Sequence, residues 1–436
     1  MALSLTESAA RLSVTRFLKD FISAGTLTLL EKDGTVLTFE GSLKICPLSV
    51  VIKIHNPQFY WKVATEADLG FADAYIHGDF SFVDKDEGLV NIIMIFIACK
   101  DLQSSASVVT KWDWLTSLFS FSAWIISAKY IYRNFCRRNT LTQARRNISR
   151  HYDMSNEMFS LFMDETMMYS CAIHKSENED LKVAQMRKIS LLIEKARVEQ
   201  DHEVLEIGSG WGTFAIELVK KTGCKYTGLT LSKEQLKFAE DKVKKAGLED
   251  RIKFLLCDYR ELKDVNKYDR IIACEMIEAV GDEYIEEFFR CCDSSLTTNG
   301  LLVLQFTAVR DEGYEKFRKC PGFIPEYIFP GGHLFSLSRV TSAMGTASKL
   351  SVEHVENIGE HYYQTLRCWR KNFLENQSKI LSLGFNEKFI QTWEYYFDYC
   401  AAGFKMRFLK NYQIVFSRRG TAFNDPSATI PSAHYL

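Results

Sequence analysis

The run from Val204 to Thr213, V-L-E-I-G-S-G-W-G-T, joins an apolar, strand-like stretch to one acidic side chain and three alternate glycines. A strand that turns sharply into a helix needs glycine where its backbone passes close to a bound nucleotide, and Gly208, Gly210 and Gly212 meet that need. The helix expected from about Phe214 to Lys221 aims its N-terminus at the same loop. A glycine triplet alone also suits an ordinary tight turn, so the neighbouring residues must decide between the two.

A dinucleotide site would place an Asp or Glu about 20 residues further on, at the end of the next strand. Here C-K-Y-T-G-L-T-L-S ends in Thr230, Leu231 and Ser232, and no carboxylate is available. Glu206, just before the glycines, stands where S-adenosylmethionine methyltransferases keep an acid for the cationic, amine-bearing end of their cofactor. A third strand, Ile252 to Leu256, leads into Cys257-Asp258-Tyr259, where a carboxylate suits an adenine amine. A fourth, Tyr268 to Cys274, leads into Glu275-Met276-Ile277-Glu278 and opens a loop where the acceptor belongs. Ligands of open α/β sheets bind outside the carboxyl ends of the strands, so the four stretches converge on one crevice.

The wider motifs are E-I-G-S-G-W-G, T-L-S-K-E-Q, H-Y-D-M-S-N-E-M-F with M-Y-S-C-A-I-H, E-M-I-E-A-V-G, E-Y-I-F-P-G-G, H-Y-Y-Q-T-L-R-C-W and Y-C-A-A-G-F. Together they resemble the cyclopropane-fatty-acyl-phospholipid synthase and mycolic acid methyltransferase family, in its eukaryotic, plant-like form, from about Val51 to Arg418. The resemblance implies an α/β fold, a Rossmann-like S-adenosylmethionine-dependent methyltransferase sheet with a smaller N-terminal α+β domain. It also implies transfer of a methylene from S-adenosyl-L-methionine to the cis double bond of phospholipid acyl chains.

Methylation of an isolated alkene leaves a carbocation, so water must be excluded and a base must take a proton before the ring can close. In this family a bound bicarbonate is thought to be that base. Carried over motif by motif, the catalytic residues are Glu278, Tyr362, Cys400, Cys171, Gln305 and, by its backbone, Thr307. The cofactor contacts are Tyr169, Ser170, Glu206, Gly208, Gly210, Gly212, Thr230, Leu231, Gln235, Asp258 and Tyr259, with no metal. Two departures stand out: Gln305 occupies a position where bacterial members carry histidine, and Ala279 follows Glu278 where many members also carry histidine. The bland readings are a helix cap for Glu278, buried small hydrophobes for Cys171 and Cys400, and an exposed helix polar residue for Gln235.

Extracting an acyl chain of ~16 carbons into water would cost on the order of 10 kcal/mol at about 0.8 kcal/mol per methylene, so the substrate calls for work at a membrane surface and an apolar tunnel. Phe306, Phe317, Phe323, Phe329 and Phe335 are candidates to line it, ordinary core packing being the alternative. Trp114 to Ala128 carries no charge, but its fifteen residues fall short of the ~20 that span a bilayer. Lys129, Arg133, Arg137, Arg138, Arg145, Arg146 and Arg150 follow with no acidic residue among them. An aromatic-rich apolar segment before a basic stripe suits an element lying on anionic lipid; a buried connector helix with a solvated basic face is the alternative.

The remaining features set bounds. The 436 residues, 47% hydrophobic with a net charge of -1, supply core for two domains and argue against a nucleic-acid binder. Twelve scattered cysteines without a C-x-x-C pair, and no secretory leader, read as free thiols in an intracellular, peripherally membrane-associated protein that family members suggest is a homodimer. An amphipathic helix is expected over Leu5–Ser23, a hairpin around Lys32-Asp33-Gly34, a strand over Val50–His55 and a buried helix over Gly88–Cys99. The helix before the first sheet strand is expected over Glu177–Arg197. Domain bounds follow as 1–130 for an N-terminal lipid-associated domain with the interfacial segment, 131–420 for the catalytic domain and 421–436 for a disordered tail.

Two rivals are a small-amine N-methyltransferase of the same superfamily, which would need neither the N-terminal domain nor the apolar-basic segment, and a catalytically silent lipid-binding relative. Each Lys or Arg near an anionic surface contributes about 1 kcal/mol. Changing Arg133, Arg137 and Arg138 together to Gln should therefore weaken flotation with anionic vesicles and make the remainder less sensitive to salt. Unchanged flotation would assign the segment to a buried connector.

Overall fold

Residues alternate between apolar and polar on either side of Lys32-Asp33-Gly34, and the expected hairpin forms there. Strand β1 (Thr26–Leu30) pairs antiparallel with β2 (Val36–Glu40), and Gly34 takes the left-handed turn position at φ +86°. Strand β3 (Ser49–Ile54) runs parallel to β1, and β4 (Phe80–Phe82) pairs antiparallel with β3, giving the order β2-β1-β3-β4. The helix Leu5–Phe21 begins at a capping box of Ser4 and Glu7 and buries Ala10, Val14 and Leu18, spaced one turn apart, as an amphipathic helix should. The helix Gly88–Ser105 buries Leu89, Val90, Ile92, Ile95 and Cys99, as its apolar sequence requires.

The computed structural model describes residues 4–105, 139–141, 143–144, 147, 155–318 and 322–418. The segment Trp114–Ala128, the seven basic residues after it, the 130/131 domain boundary and the tail 421–436 lie outside the described residues.

The second sheet contains β5 (Glu203–Ile207), β6 (Lys225–Thr230), β7 (Ile252–Leu256), β8 (Tyr268–Cys274), β9 (Leu296–Val309), β10 (Phe335–Ser336), β11 (Leu350–Asn357) and β12 (Leu409–Arg418). Its order is β11-β12-β9-β8-β5-β6-β7, with short β10 parallel to β9 off this path. Strands β7, β6, β5, β8 and β9 are mutually parallel, whereas β12 runs antiparallel to both β9 and β11. The chain winds from β5 through β6 to β7 and then restarts on the other side of β5 with β8. This topological switch places the carboxyl ends of β5 and β8 at the crevice, where the glycine loop and the Glu275–Glu278 segment follow them.

Two expectations need correction. The helix before β5 begins at Leu181 rather than Glu177, because Asp180 caps it through Val183 N–H while Glu179 is drawn away to Arg187 and to Lys175 N–H. The five phenylalanines do not form one wall. Phe306 and Phe335 are fully buried in the core beneath the sheet, while Phe323 packs on Tyr395, Phe317 on Phe408 and Phe329 on Tyr169.

A charged clasp joins the small sheet's unit to the helices Glu360–Glu375 and Glu387–Lys405. Asp398, fully buried, accepts from Arg367 at 2.6 Å and faces Arg370 Nε at 3.0 Å. Arg370 also reaches Glu394 and the Lys85 carbonyl, Arg367 reaches Glu87, and Tyr75 donates to Glu394. Removing one partner of such a buried set leaves an uncompensated charge, which costs about 3 to 5 kcal/mol. Arg370→Met should therefore lower the urea unfolding midpoint by a stability loss of about 3 kcal/mol or more; a midpoint equal to wild type would show that the clasp contributes nothing.

Candidate active site

The crevice at the switch point is lined by Met167 to Ser170, Glu206 to Trp211, Leu229 to Leu231, Gln235, Cys257 to Arg260, and Cys274 to Met276, and encloses about 1070 Å³ with its open mouth included. Every expected cofactor contact except Gly212 is among the lining residues. Gly208, Gly210 and Gly212 all have positive φ, at +88°, +52° and +80°. A Cβ at Gly208 would come 2.8 Å from Met276, whereas one at Gly210 would enter open space, so Gly210 is required by its backbone conformation and not by crowding.

The polar groups around this crevice fall into those already paired and those still waiting. Glu206, at the end of β5, is buried and accepts from the Tyr226 hydroxyl; burial lifts its carboxyl to about 7, against the pull of Tyr226 and of the Lys188 ammonium. Lys188, also fully buried, donates to Ser170 Oγ at 2.7 Å. Ser232 caps the helix Lys233–Ala246 by accepting from Gln235 N–H, and Thr230 Oγ1 donates to Gln235 Oε1 at 2.9 Å, so the S-x-x-Q spacing fixes Gln235 one turn in. Both oxygens of Asp258 are engaged by Arg260, at 2.8 and 2.7 Å. The buried Tyr259 hydroxyl has no hydrogen-bond partner among the described residues.

A second constellation surrounds Glu275, the first residue after β8. Its backbone is left-handed at φ +49°, an unfavourable conformation for glutamate. Its Oε1 accepts from Cys171 N–H at 3.0 Å, Gln305 Nε2 at 2.8 Å and Asn411 Nδ2 at 2.8 Å, and its Oε2 accepts from the Tyr362 hydroxyl at 2.7 Å. Glu275 also lines the crevice. Three residues on, Glu278 accepts from Thr307 N–H through Oε1 at 2.6 Å, and its Oε2 is buried with no partner among the described residues. Burial and the negative charge of Glu275 push the Glu278 carboxyl up to about 8, which favours its neutral form.

Strand register explains the donors. In the antiparallel pair of β9 and β12, Gln305 lies opposite Gln413 and Thr307 opposite Asn411, so all four project from one face while Phe306 points into the core on the other. Lys195, which has only protons to give, donates to Gln413 Oε1; the Gln413 amide donates to Gln305 Oε1 at 2.8 Å, and Gln305 Nε2 is thereby left aimed at Glu275.

The structure thus gathers Glu278, Tyr362, Gln305, Thr307 and Cys171 in one place, with changes of role. Cys171 contributes its N–H while its buried thiol, held well above its ordinary pKa by burial, donates towards carbonyl oxygens. Tyr362 is buried, stacked on Phe404 at 4.4 Å. Cys400 makes none of the hydrogen bonds around Glu275, and burial lifts its thiol to about 12. A thiol held so far above its ordinary pKa is a poor nucleophile. Sequence reasoning missed Glu275 as a site residue, along with Asn411, Gln413 and Lys188. The available signal was a carboxylate at a strand's carboxyl end, three residues before another.

The mycolic acid cyclopropane synthetase family profile matches residues 139–414, which span all of these side chains. The chain belongs to this family. Tuberculostearic acid methyltransferase of Mycobacterium tuberculosis is 31% identical over 402 residues, 90% of this chain and 88% of that protein. Cyclopropane-fatty-acyl-phospholipid synthase of Escherichia coli (strain K12) is 29% identical over 367 residues, 84% of this chain and 87% of that protein. Among solved structures, mycolic acid cyclopropane synthase CmaA1 complexed with SAH and CTAB aligns with TM-score 0.59 and 27% identity, over 63% of this chain and 98% of that one. The fold is that of S-adenosylmethionine-dependent methyltransferases. Among the described residues no helix is long and apolar enough to cross a membrane.

The raised carboxyl of Glu278 has a measurable consequence. Its folded pKa lies above its unfolded value near 4.5, so the fold binds the extra proton, and this group's contribution to stability declines as pH rises from about 4.5 to about 8. Glu278→Gln keeps an acceptor for Thr307 and a donor at the other atom. The variant should lose less stability than wild type between pH 5 and pH 9, by about 1 kcal/mol or more, in urea unfolding. Parallel pH profiles for the two proteins would mean that Glu278 is ionised in the fold.

Proposed function

We propose that this chain transfers a methylene from S-adenosyl-L-methionine to the cis double bond of phospholipid acyl chains, forming a cyclopropane ring. As a member of its family it is an S-adenosylmethionine-dependent methyltransferase that acts on lipid acyl chains. The crevice fits that cofactor: the left-handed glycines admit close approach, the Tyr259 hydroxyl has no partner among the described residues, and Glu206 is a buried carboxyl suited to a cation. Glu206 and its neighbours would hold the amino-acid end, and Thr230, Leu231, Gln235 and Asp258 the nucleoside end. When bound, the cofactor supplies an electrophilic methyl group on sulfonium sulfur.

The observation that carries the reading is a carboxyl pair set against an aromatic wall at the end of β8. Tyr169 stacks on Phe329 and tilts against Trp369, its hydroxyl donates to Tyr396, and Tyr362 meets Trp369 edge-on. Attack by an alkene leaves positive charge on the acyl chain, and aromatic faces stabilise a cation by about 0.5 to 2 kcal/mol without offering it a nucleophile. The buried rings also keep out water that would trap the cation. Glu278, neutral, can donate a hydrogen bond through its buried Oε2, while Tyr362, Gln305 and Asn411 orient the charged carboxylate beside it. The small N-terminal unit and the apolar-basic segment serve, in this reading, to bring the catalytic domain to a lipid surface.

Lipids from a bacterial host expressing the chain should gain the mass of one methylene on monounsaturated phospholipid chains, and the new chains should resist reagents that add to double bonds. Methylene gain with retained unsaturation would assign a branched product instead. Lipids unchanged in mass, from cells that contain the folded protein, would remove acyl methylation.

A further inference from the structure

We propose that the Glu275 carboxylate is itself the proton acceptor of the reaction, filling the place a bound bicarbonate would otherwise take. The proposal rests on the acyl-methylation reading above. An anion site here would be built from Cys171, Gln305, Tyr362 and the Thr307 backbone. Three of those four donate to Glu275 instead, and the fourth donates to Glu278. Asn411 adds a further donor. A carboxylate and a bicarbonate present the same planar, anionic pair of oxygens, so one set of donors suits either, and here a side chain already satisfies it.

The two oxygens are not equivalent. Three donors saturate Oε1, whereas Oε2 takes only the Tyr362 hydroxyl and keeps a lone pair, on a residue that lines the cofactor crevice. The proton therefore goes to Oε2. In the first step the alkene π pair forms the bond to the incoming methyl as the carbon–sulfur bond breaks with its electrons to sulfur, leaving the neighbouring alkene carbon positive. In the second, a C–H bond of the new methyl gives its proton to Glu275 Oε2 and its electron pair to that carbon, which closes the ring. The cation is discharged, the carboxylate becomes a carboxylic acid, and the acid returns its proton to water through the crevice once product has left. The donors that hold Glu275 also dull it as a nucleophile, which protects it from being methylated in place of the lipid.

The left-handed backbone supplies a clean test. Glycine is at ease at φ +49°, so Glu275→Gly relieves the backbone while leaving a cavity ringed by four donors. The variant should stay folded but melt below wild type, because four donors lose their acceptor, and added bicarbonate should raise its melting temperature. It should bind isotopically labelled bicarbonate, seen by line broadening in NMR, where wild type does not, and this arm needs no lipid. Turnover of Glu275→Gly should be low and should rise on adding millimolar bicarbonate, whereas wild type should turn over equally fast in carbon-dioxide-free buffer. Glu275→Gln should bind SAH like wild type and lose about 10²- to 10⁴-fold in kcat, the span of a general base. Wild-type turnover that falls without bicarbonate, bicarbonate binding by wild type, or normal kcat in Glu275→Gln would overturn the proposal. If wild type methylates no lipid while the anion-binding arm gives the expected difference, the acyl-methylation reading fails and the assignment of Glu275 to the anion's place stands.

Discussion

Four hydrogen-bond donors from four separate pieces of chain meet on the Glu275 carboxylate. Cys171 comes from the segment before the catalytic sheet, Gln305 from β9, Asn411 from β12, and Tyr362 from the helix Glu360–Glu375. A half-buried carboxylate is tolerable only when so compensated, and the compensation fixes the relative positions of all four pieces. The antiparallel register of β9 against β12 is part of this constraint, because a one-residue slip of β12 would turn Asn411 and Gln413 away from the face that carries Gln305 and Thr307. The amide relay from Lys195 through Gln413 sets the direction of the Gln305 donor. The unfavourable backbone of Glu275 is consistent with a site whose geometry is imposed by surroundings rather than by local preference.

Around this charge the remaining carboxyls divide by environment. Glu275 is surrounded by donors, whereas Glu278, with one donor and beside a like charge, is pushed towards its neutral form. Two acids three residues apart are thereby given different tasks, one to accept a proton and one to donate a hydrogen bond. Glu206 is a third case: buried, its carboxyl is pushed up by desolvation to about 7 against the pull of Tyr226 and Lys188.

Much of the scaffold was legible from residue order. The hairpin at Lys32-Asp33-Gly34, the capped helix at Ser232, the glycine loop and the convergence of strand ends all follow from turn chemistry and periodicity, which act over a few residues. Membership of the family was legible from motifs spread along the chain. The roles of Glu275, Asn411 and Gln413 were not, because they depend on which strands pair and in what register, and on a backbone dihedral that a glutamate does not advertise. The same limit explains the phenylalanines: Phe306 and Phe335 looked equivalent to Phe329 in sequence, yet they point into the sheet core. Cys400 looked chemical only through its motif, and its half-buried thiol takes no part in the network around Glu275.

The most direct test of the account is a crystal structure of the wild-type chain with SAH, grown in millimolar bicarbonate. The Glu275 side chain should lie within hydrogen-bond distance of Tyr362 Oη, Gln305 Nε2 and Asn411 Nδ2, with no separate planar anion between them. A carbonate-shaped density held by Tyr362 and Gln305, with Glu275 turned away from both, would contradict it.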